Sequence, residues 1–402
     1  MKFNITLSQF CLGTVFGAVI ACSPTKFNPT ASTPNTICDS SVTSCVVEQS
    51  FINLTQNFEV GSGKVDILFV SDNSASMSQI QIKLKDRFSG FIQNLDSKKI
   101  DYRVAATTTD LTTASQSKLI PMGNSKTFLT NADTNRVSLF YAAILRTETL
   151  QCENLILGMF NTYGTSFESQ PDYVRLYPTR CPSPDTRGIN KAFLAVSENA
   201  DSFIRADANL NVIVISNDDV RQGRYKLNSK DSRFLPLEAN DKSETFISMM
   251  QEKYPNKYWD FNSIVVKDTG CKDLQVLKNP QGQIVSDASG PAISGGLGYE
   301  YAMLSNSAAK DIDGSPRPRG RILDICENDY ANHFTDMATQ ISQEARMINL
   351  KCVPNAAPMV NYTSGTAVPA TLYTWSTDKI TFKKGSEGSQ VTVHYKCYTG
   401  PT

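Results

Sequence analysis

One short stretch combines an apolar run with the oxygen-bearing side chains that bind hard metal ions. Residues 65–76, VDILFVSDNSAS, contain Asp72, Ser74 and Ser76 in the spacing Asp-x-Ser-x-Ser. A carboxylate and two hydroxyls offer only oxygen donors, which suit Mg²⁺, Mn²⁺ or Ca²⁺ better than softer metals. The same residues also suit the cap of a following helix, because Asp and Ser accept hydrogen bonds from free backbone amides.

The residues around this stretch predict a strand, a helix and a second strand. Residues 64–71, KVDILFVS, form an almost continuous β-branched and aromatic run, which is typical of a strand buried on both faces. Residues 101–110, DYRVAATTTD, predict the second strand. The helix between them places apolar residues at positions i, i+4, i+7, i+8 and i+11, namely Leu84, Phe88, Phe91, Ile92 and Leu95.

The same alternation recurs downstream and indicates a parallel sheet. We expect further strands at 210–219 and 261–268, and further helices at 136–150, 188–199, 243–254 and 328–350. The last helix carries Phe334, Met337, Ile341 and Met347 on its apolar side. The sequence therefore predicts an α/β fold with a doubly wound, mostly parallel sheet of Rossmann-like type. Ligands of such sheets bind beyond the carboxyl ends of the strands, which is where the Asp-x-Ser-x-Ser stretch lies.

The two ends of the chain depart from this α/β pattern. Residues 22–57 are rich in Ser, Thr, Pro and Asn, so we expect a tether ahead of a folded domain at 58–350. Apolar and polar residues alternate in short runs over 351–402, which predicts a small C-terminal β module. A module of this size needs a disulfide or a neighbouring domain for stability.

The cysteines are those of an exported protein. Of ten, Cys11 lies in the first 21 residues and Cys22 follows them directly, so eight remain. An even number in an exported chain indicates disulfides, and the absence of CxxC spacing argues against zinc. The sequence does not fix the connectivity. Pairing neighbours along the chain gives Cys38–Cys45, Cys152–Cys181, Cys271–Cys326 and Cys352–Cys397.

Residues 1–21 are interpreted as an export signal. Lys2 precedes the apolar stretch CLGTVFGAVIA, which is too short to span a membrane. The following VIAC, residues 19–22, resembles the lipobox of bacterial lipoproteins. That resemblance implies cleavage before Cys22, its acylation with palmitate-like chains, and, from Ser23, anchoring in the outer membrane. An ordinary signal peptide and a short membrane anchor are the alternatives.

The motif and the order of elements resemble von Willebrand factor type A (vWA) domain lipoproteins of Gram-negative bacteria. The resemblance covers residues 60–402 and is carried by DILFVSDNSASM, RILDICENDYANHFTDMA and TWSTDKITFKKGSEGSQVTVHYKCY. Family members hold a divalent cation at a metal-ion-dependent adhesion site (MIDAS). The family signature is DxSxS after the first strand, a Thr from a second loop and an Asp after the fourth strand.

The resemblance implies a metal site formed by five residues, Asp72, Ser74, Ser76, Thr186 and Asp218. Thr186 precedes the helix at 188–199, so a helix cap is its alternative role. Asn217 stands where the family has its Asp. Either Asp218 or Asp219 serves after a one-residue shift, or Asn217 coordinates through its carbonyl; a solvated turn is the alternative. Asp110, which ends the second strand, is expected to support the site or cap a loop.

The resemblance implies a surface-anchored protein that binds a protein or cell-surface ligand through the ligand's acidic group. The cofactor is then a divalent cation, with Mg²⁺ favoured over Mn²⁺ and Ca²⁺. The alternative is an envelope scaffold with a degenerate, metal-free site, which Asn217 favours. Lys+Arg and Asp+Glu both number 39, so no net charge points to nucleic acid. With two histidines and no GxSxG or HExxH motif, we expect no enzymatic activity.

Overall fold

A computed structural model gives the fold of most of the chain. The described residues are 38, 42–48, 50–61, 63–111, 119–123, 126–183, 185–222, 236–255, 257–287, 290–291, 295–311, 316–383 and 385–398. The expected export signal, the acylation of Cys22 and the first part of the tether lie outside them. Within these ranges, no helix has the length and apolar character needed to cross a membrane.

The structure contains a series of strands, numbered here along the chain. They are β1 (Ser44–Glu48), β2 (Phe51–Glu59), β3 (Lys64–Ser71), β4 (Asp101–Thr108), β5 (Phe128–Thr130), β6 (Asn209–Ser216), β7 (Trp259–Val265), β8 (Ser286–Asp287), β9 (Gly290–Pro291), β10 (Ala308–Lys310), β11 (Pro316–Pro318), β12 (Ile322–Asp324), β13 (Met347–Asn349), β14 (Met359–Tyr362), β15 (Tyr373–Ser376), β16 (Lys379–Phe382) and β17 (Gln390–Tyr398).

The α-helices are numbered in the same way. They are α1 (Ser78–Ser97), α2 (Arg136–Ile144), α3 (Thr147–Tyr163), α4 (Pro171–Arg180), α5 (Gly188–Ser197), α6 (Ser243–Lys253), α7 (Thr269–Leu274), α8 (Tyr299–Asn306) and α9 (Ala331–Glu344). The predicted helix over 136–150 is in fact two helices, α2 and α3.

A six-stranded sheet forms the centre of the molecule, in the order β12-β7-β6-β3-β4-β5. Every neighbouring pair is parallel except β4 and β5, which are antiparallel. Alternate side chains of β3 enter two cores, with Ile67 and Phe69 on one face and Leu68 and Val70 on the other. Helices α1 and α9 cover the first face, and α5, α6 and α8 cover the second. The predicted doubly wound α/β fold is confirmed.

Aromatic packing sets the position of α1 on the sheet. The five apolar residues predicted for its inner face are all buried. Phe69 of β3 meets Phe88 and Phe91 of α1 edge-on, with ring centroids 6.0 and 6.1 Å apart. These contacts fix where α1 begins relative to the end of β3, and therefore fix the loop that joins them.

A helical insertion, α2 to α4, packs beside that loop. A small apolar cluster joins Cys152 and Ile156 of α3 and Phe167 to Ala75 in the loop itself. The Cys152–Cys181 disulfide links α3 to the end of α4. The other three predicted disulfides are also present, so the pairing of neighbouring cysteines is confirmed. Disulfides are typical of proteins that fold outside the cytosol.

The expected tether over 22–57 is too long at its carboxyl end, because β1 and β2 belong to the folded structure. Strand β2 pairs with β17 from Phe51–Tyr398 to Glu59–Gln390, within a four-stranded sheet β1-β2-β17-β14. In FINLTQNFE, Ile52 and Leu54 are fully buried while their neighbours are more exposed. The polar residues of 51–59 thus form one face of strand β2. The β module therefore contains β1 and β2 as well as the strands within the predicted 351–402.

The predicted helix over 328–350 stops early. Helix α9 ends at Glu344, and Met347, expected on its apolar face, lies in β13. Strand β13 pairs with β16, and the Arg346 guanidinium donates to the Phe382 carbonyl at 2.9 Å. Pairing with a strand distant in sequence overrides the local helical pattern here.

Candidate metal site

The loop from Asp72 to Met77 carries three of the predicted ligands. The Asp72 amide donates to the Ile215 carbonyl of β6 at 2.9 Å. Its carboxylate accepts the Ser74 amide at Oδ1 (2.8 Å) and the Ser216 hydroxyl at Oδ2 (2.7 Å). Both oxygens of Asp72 therefore hold the loop, and neither reaches directly toward solvent, since the residue is 1% exposed.

The serine hydroxyls are not used to cap α1. Met77 occupies the cap position of that helix and makes no side-chain cap bond. Ser74 precedes a short 3₁₀ turn, Ala75–Met77, again without a cap bond from its side chain. The simple capping role considered for this motif therefore does not account for Ser74 and Ser76.

Three side-chain oxygens lie at the spacing of adjacent metal ligands. Ser74 Oγ is 3.1 Å from Ser76 Oγ, and Ser76 Oγ is 3.0 Å from Asn217 Oδ1. Mg²⁺ is bound octahedrally at about 2.1 Å, so neighbouring ligands lie about 3.0 Å apart. Both serines are half-buried, and Ser76 lines a cleft of about 450 Å³. These residues fit a small divalent cation in spacing and in donor type.

Asn217 is the residue after β6 that reaches this cluster. Its Nδ2 donates to Gln275 Oε1 at 3.3 Å, which orients its carbonyl oxygen toward Ser76. Its backbone carbonyl accepts the Gly296 amide at 2.8 Å, and the residue is fully buried. The side chain that replaces the family's Asp is therefore held in a fixed orientation toward the serines.

The Asp72 carboxylate has no basic partner among the described residues. Burial raises the pKa of Asp72, although the hydrogen bonds from Ser74 and Ser216 act in the opposite direction. Among the described residues, no lysine or arginine forms a salt bridge with Asp72. A buried carboxylate of this kind is stabilised by a cation placed close to it.

Asp219 has a structural role in the described chain. Its Oδ1 accepts the amides of Val220 and Glu300 at 2.9 and 3.0 Å, and the second of these lies in the first turn of α8. Burial raises its pKa to about 7. Asp218 is half-buried, and its backbone contacts the Ser216 hydroxyl at both its amide and its carbonyl. Asp219 is thus a helix cap and not a solvated turn residue, while ligation by Asp218 stays a prediction.

Thr186 lies in the loop before α5 and is 3% exposed. Its carbonyl accepts the Arg221 amide at 2.8 Å, and the next amide, of Arg187, donates to the Thr109 carbonyl at 3.1 Å. No hydrogen bond joins its hydroxyl to Ser74 or Ser76 in the described structure. Its part in metal binding stays a prediction.

Two arginines hold the Thr186 loop on either side. Arg187 donates to both carboxylate oxygens of Asp241 at 2.9 Å, and Arg221 donates to Asp185 at 2.9 to 3.2 Å. Both guanidiniums also contact Glu238. Local sequence patterns do not reveal this network, because its members lie on separate segments.

Asp110 lies on the other side of the loop, over the end of β4. Its carboxylate accepts the Ser183 amide at 3.4 Å, and its carbonyl accepts Lys191 Nζ at 3.1 Å. It lines a cleft of about 620 Å³ together with Asn73 and Lys191. These contacts agree with the loop-capping role considered for Asp110.

Three further residues, which are not among those predicted from the sequence, support the loop from Asp72 to Met77. Gln81 donates to the Asp72 carbonyl at 3.2 Å, and Thr149 of α3 donates to the Asn73 carbonyl at 2.7 Å. Ser216 binds the Asp72 carboxylate. For Ser216 alone a signal exists, since a hydroxyl ends the apolar run VIVIS at the carboxyl end of a strand.

A second group of metal-type donors, Cys271, Asp324 and Cys326, lies within 4.8 Å. The two sulfur atoms are bonded to each other in a disulfide. No thiolate is therefore present to bind a metal, and the oxygen cluster around Ser76 is the better candidate.

No protein-family model and no curated protein match this sequence. Among solved structures, a von Willebrand factor type A protein from Catenulispora acidiphila has a TM-score of 0.35 and 10% identity, over 89% of this chain and 63% of that one. The pilus adhesin SpaC from Lactobacillus rhamnosus GG has a TM-score of 0.33 and 8% identity, over 88% and 41%. The adhesive tip pilin GBS104 from Streptococcus agalactiae has 0.24 and 11%, over 88% and 84%.

The chain thus spans less than two thirds of the first two of these structures. With TM-scores of 0.35 or lower, the likeness transfers no function to this chain. The α/β assignment rests on the strand order and on the helices that cover both faces of the sheet.

Proposed function

We propose that this chain is an exported, lipid-anchored binding protein of the vWA kind. It captures an acidic group of a protein or cell-surface partner through a divalent cation at the carboxyl end of β3. Ser74, Ser76 and Asn217 would hold the cation, Asp72 would supply negative charge, and Thr186 and Asp218 would complete the site. The cation would act as a Lewis acid that binds the partner's carboxylate; no catalysis is proposed.

One observation carries this proposal. The oxygens of Ser74, Ser76 and Asn217 form a chain with gaps of 3.1 and 3.0 Å, beside a buried carboxylate. The Ser74 and Ser76 hydroxyls do not cap a helix, and they lie at ligand spacing beside the Asp72 carboxylate, which has no basic partner among the described residues. These features support the binding of a hard cation. Mg²⁺ is favoured because its short bonds match these gaps.

The proposal is tested by titrating Mg²⁺ and Mn²⁺ against the chain from residue 23 onward, using calorimetry and thermal unfolding. We expect binding heat, and stabilisation that grows as RT ln(1+[M]/Kd), to about 2.7 kcal/mol at a hundred times Kd. The double variant Ser74→Ala, Ser76→Ala should lose both signals. The exposed Asp86→Ala on α1 is the matched control and should retain them.

A second candidate is an envelope scaffold with a metal-free site. Asn217 favours it, because the amide lacks the charge of the family's Asp and already accepts the Ser76 hydroxyl. This alternative predicts neither heat nor stabilisation with the wild-type chain at saturating Mg²⁺ or Mn²⁺. That outcome would remove the metal from the proposed function.

A further inference from the structure

A cleft of about 450 Å³ opens next to the candidate metal site. Ser76 and Asn217 line it, so two of the proposed ligands face the same space. Lys83 of α1 and Glu153 of α3 also line it, together with Leu274 and Lys278 at and after the end of α7. The volume is that of a pocket for a small ligand or for a few side chains of a larger one.

The walls of this cleft are braced by covalent bonds. Glu153 follows Cys152, whose disulfide to Cys181 ties α3 to the end of α4. Cys326 lines the cleft and is bonded to Cys271 in α7. A site with fixed walls loses little conformational entropy when it binds a ligand, so the cleft is suited to binding.

The charge and polarity of the cleft indicate the ligand. Among the residues that line the cleft, Lys83 and Lys278 outnumber Glu153, while Asp324 and Glu327 lie close enough to Lys83 to offset part of its charge. A divalent cation would add further positive charge. Lys83 Nζ donates to the Glu327 carbonyl at 3.0 Å, which keeps the amine near the cleft. Leu274 is 68% exposed at the rim. The cleft therefore offers positive charge next to an aliphatic surface, and its lining in the described chain contains no aromatic ring.

We infer that this cleft receives an extended peptide segment of a protein partner. One carboxylate of the segment lies at Ser76 and Asn217, a second faces Lys83 and Lys278, and an apolar side chain packs on Leu274. A peptide supplies acidic and aliphatic groups in close succession, whereas the aliphatic lining offers no ring for stacking a sugar. This inference rests on the proposed function, because the first carboxylate needs the cation.

The probe is a random dodecapeptide library displayed on phage and selected on the immobilised chain in the presence of Mn²⁺. We expect selected peptides to combine two acidic residues with a nearby aliphatic one, and EDTA to release them. A synthetic peptide of the consensus sequence is then titrated by fluorescence anisotropy. Lys278→Glu and Leu274→Ser should each weaken its binding by about fivefold or more.

Matched controls separate this inference from general surface effects. Lys253→Glu makes the same charge change on an exposed residue of α6, and Val353→Ser changes an aliphatic residue that is 62% exposed. Both should bind the peptide as the wild type does. Calorimetry with Mn²⁺ alone should give the same metal affinity for Lys278→Glu and Leu274→Ser as for the wild type within about twofold.

The outcomes separate the two claims. Absence of Mn²⁺ binding by the wild type overturns the proposed function and the cleft inference with it. Mn²⁺ binding combined with peptides that lack acidic residues, or with affinities unchanged in Lys278→Glu and Leu274→Ser, overturns the cleft inference alone. Mn²⁺-dependent binding to arrayed glycans without any peptide consensus also overturns it.

Discussion

Asp72 and Ser216 act together at the end of two neighbouring strands. The Ser216 hydroxyl donates to Asp72 Oδ2 at 2.7 Å and also contacts the backbone of Asp218. Asp72 in turn accepts the Ser74 amide. The position of the Ser74 and Ser76 hydroxyls thus depends on a residue of β6 that would not itself contact a metal.

Ser216→Ala tests this dependence. Removing the hydroxyl takes a hydrogen bond from a buried carboxylate, so the free energy of unfolding should fall by about 1–3 kcal/mol. Mn²⁺ affinity measured by calorimetry should fall as well, because the Ser74 turn loosens. Ser97→Ala at the exposed end of α1 should change neither quantity. An unchanged Mn²⁺ affinity in Ser216→Ala would show that Asp72 keeps its orientation without this bond.

The sequence predicts the first loop of the candidate site better than the residues that other segments contribute to it. Asp72, Ser74 and Ser76 are close in sequence and follow a strongly apolar strand, so their proximity follows from local geometry. Asn217 and Gln275 meet across loops from different strands, and only the fold brings them together. The Arg187–Asp241 pair is equally invisible to local patterns.

The elements show the same division between local and distant determinants. Strand β3 and helix α1 were predictable because their periods are regular and long. The polar composition of 22–57 predicts a tether where most of β2 lies, because the alternation in FINLTQNFE indicates a strand only once β17 pairs with it. Helix α9 ended early because β13 pairs with β16, a contact that no helical pattern reveals.

The Cys152–Cys181 disulfide should be needed to keep α3 and α4 beside the candidate site. It closes a separation of 29 residues, for which the chain-entropy model gives about 3.5 kcal/mol of stabilisation. In Cys152→Ala, Cys181→Ala we expect limited proteolysis to cut first within 164–181. Replacing the Cys38–Cys45 pair, which spans 7 residues at the other end, should leave that segment protected. Equal protection in both variants would contradict this role.

The end of α9 should make stability depend on pH. Burial, and the charge of Asp260 beside it, raise the pKa of Glu344, while Arg317 and Gln340 act against this. A carboxyl with a raised pKa binds its proton more tightly in the folded chain. It therefore contributes stability at low pH, and this contribution is lost as pH rises through the folded pKa.

Glu344→Gln removes that dependence. We expect the variant to be more stable than the wild type at about pH 8, and the difference to shrink toward about pH 5. Urea unfolding at several pH values measures this. Glu252→Gln on the exposed side of α6 serves as the control. A wild-type chain whose unfolding free energy does not fall as pH rises over this range would contradict the assignment.

In the whole molecule, the terminal sheet with β1 and β2 and the candidate site lie at opposite ends of β3. Strands β1 and β2 belong to the terminal sheet, and a short turn after Glu59 connects β2 to β3, which begins at Lys64. Strand β3 then runs eight residues to the loop at Asp72, a distance of about 26 Å. The candidate site therefore lies at the end of β3 opposite to the end at which the chain arrives from the terminal sheet.

The same path makes the terminal sheet depend on both ends of the chain. A chain that starts at residue 60 loses β1 and β2, and with them the partner of the nine-residue β17. The fully buried Ile52 and Leu54 would also be missing, each worth about 1.5–3 kcal/mol of burial. We expect such a chain to be cut by protease within 352–398, with Val391 and Val393 newly exposed. A chain that starts at residue 38 keeps β1, β2 and the Cys38–Cys45 bond, and should resist cleavage there. If both chains resist protease equally, β17 is held by β14 and the neighbouring small sheet alone, and the first two strands are dispensable for the module.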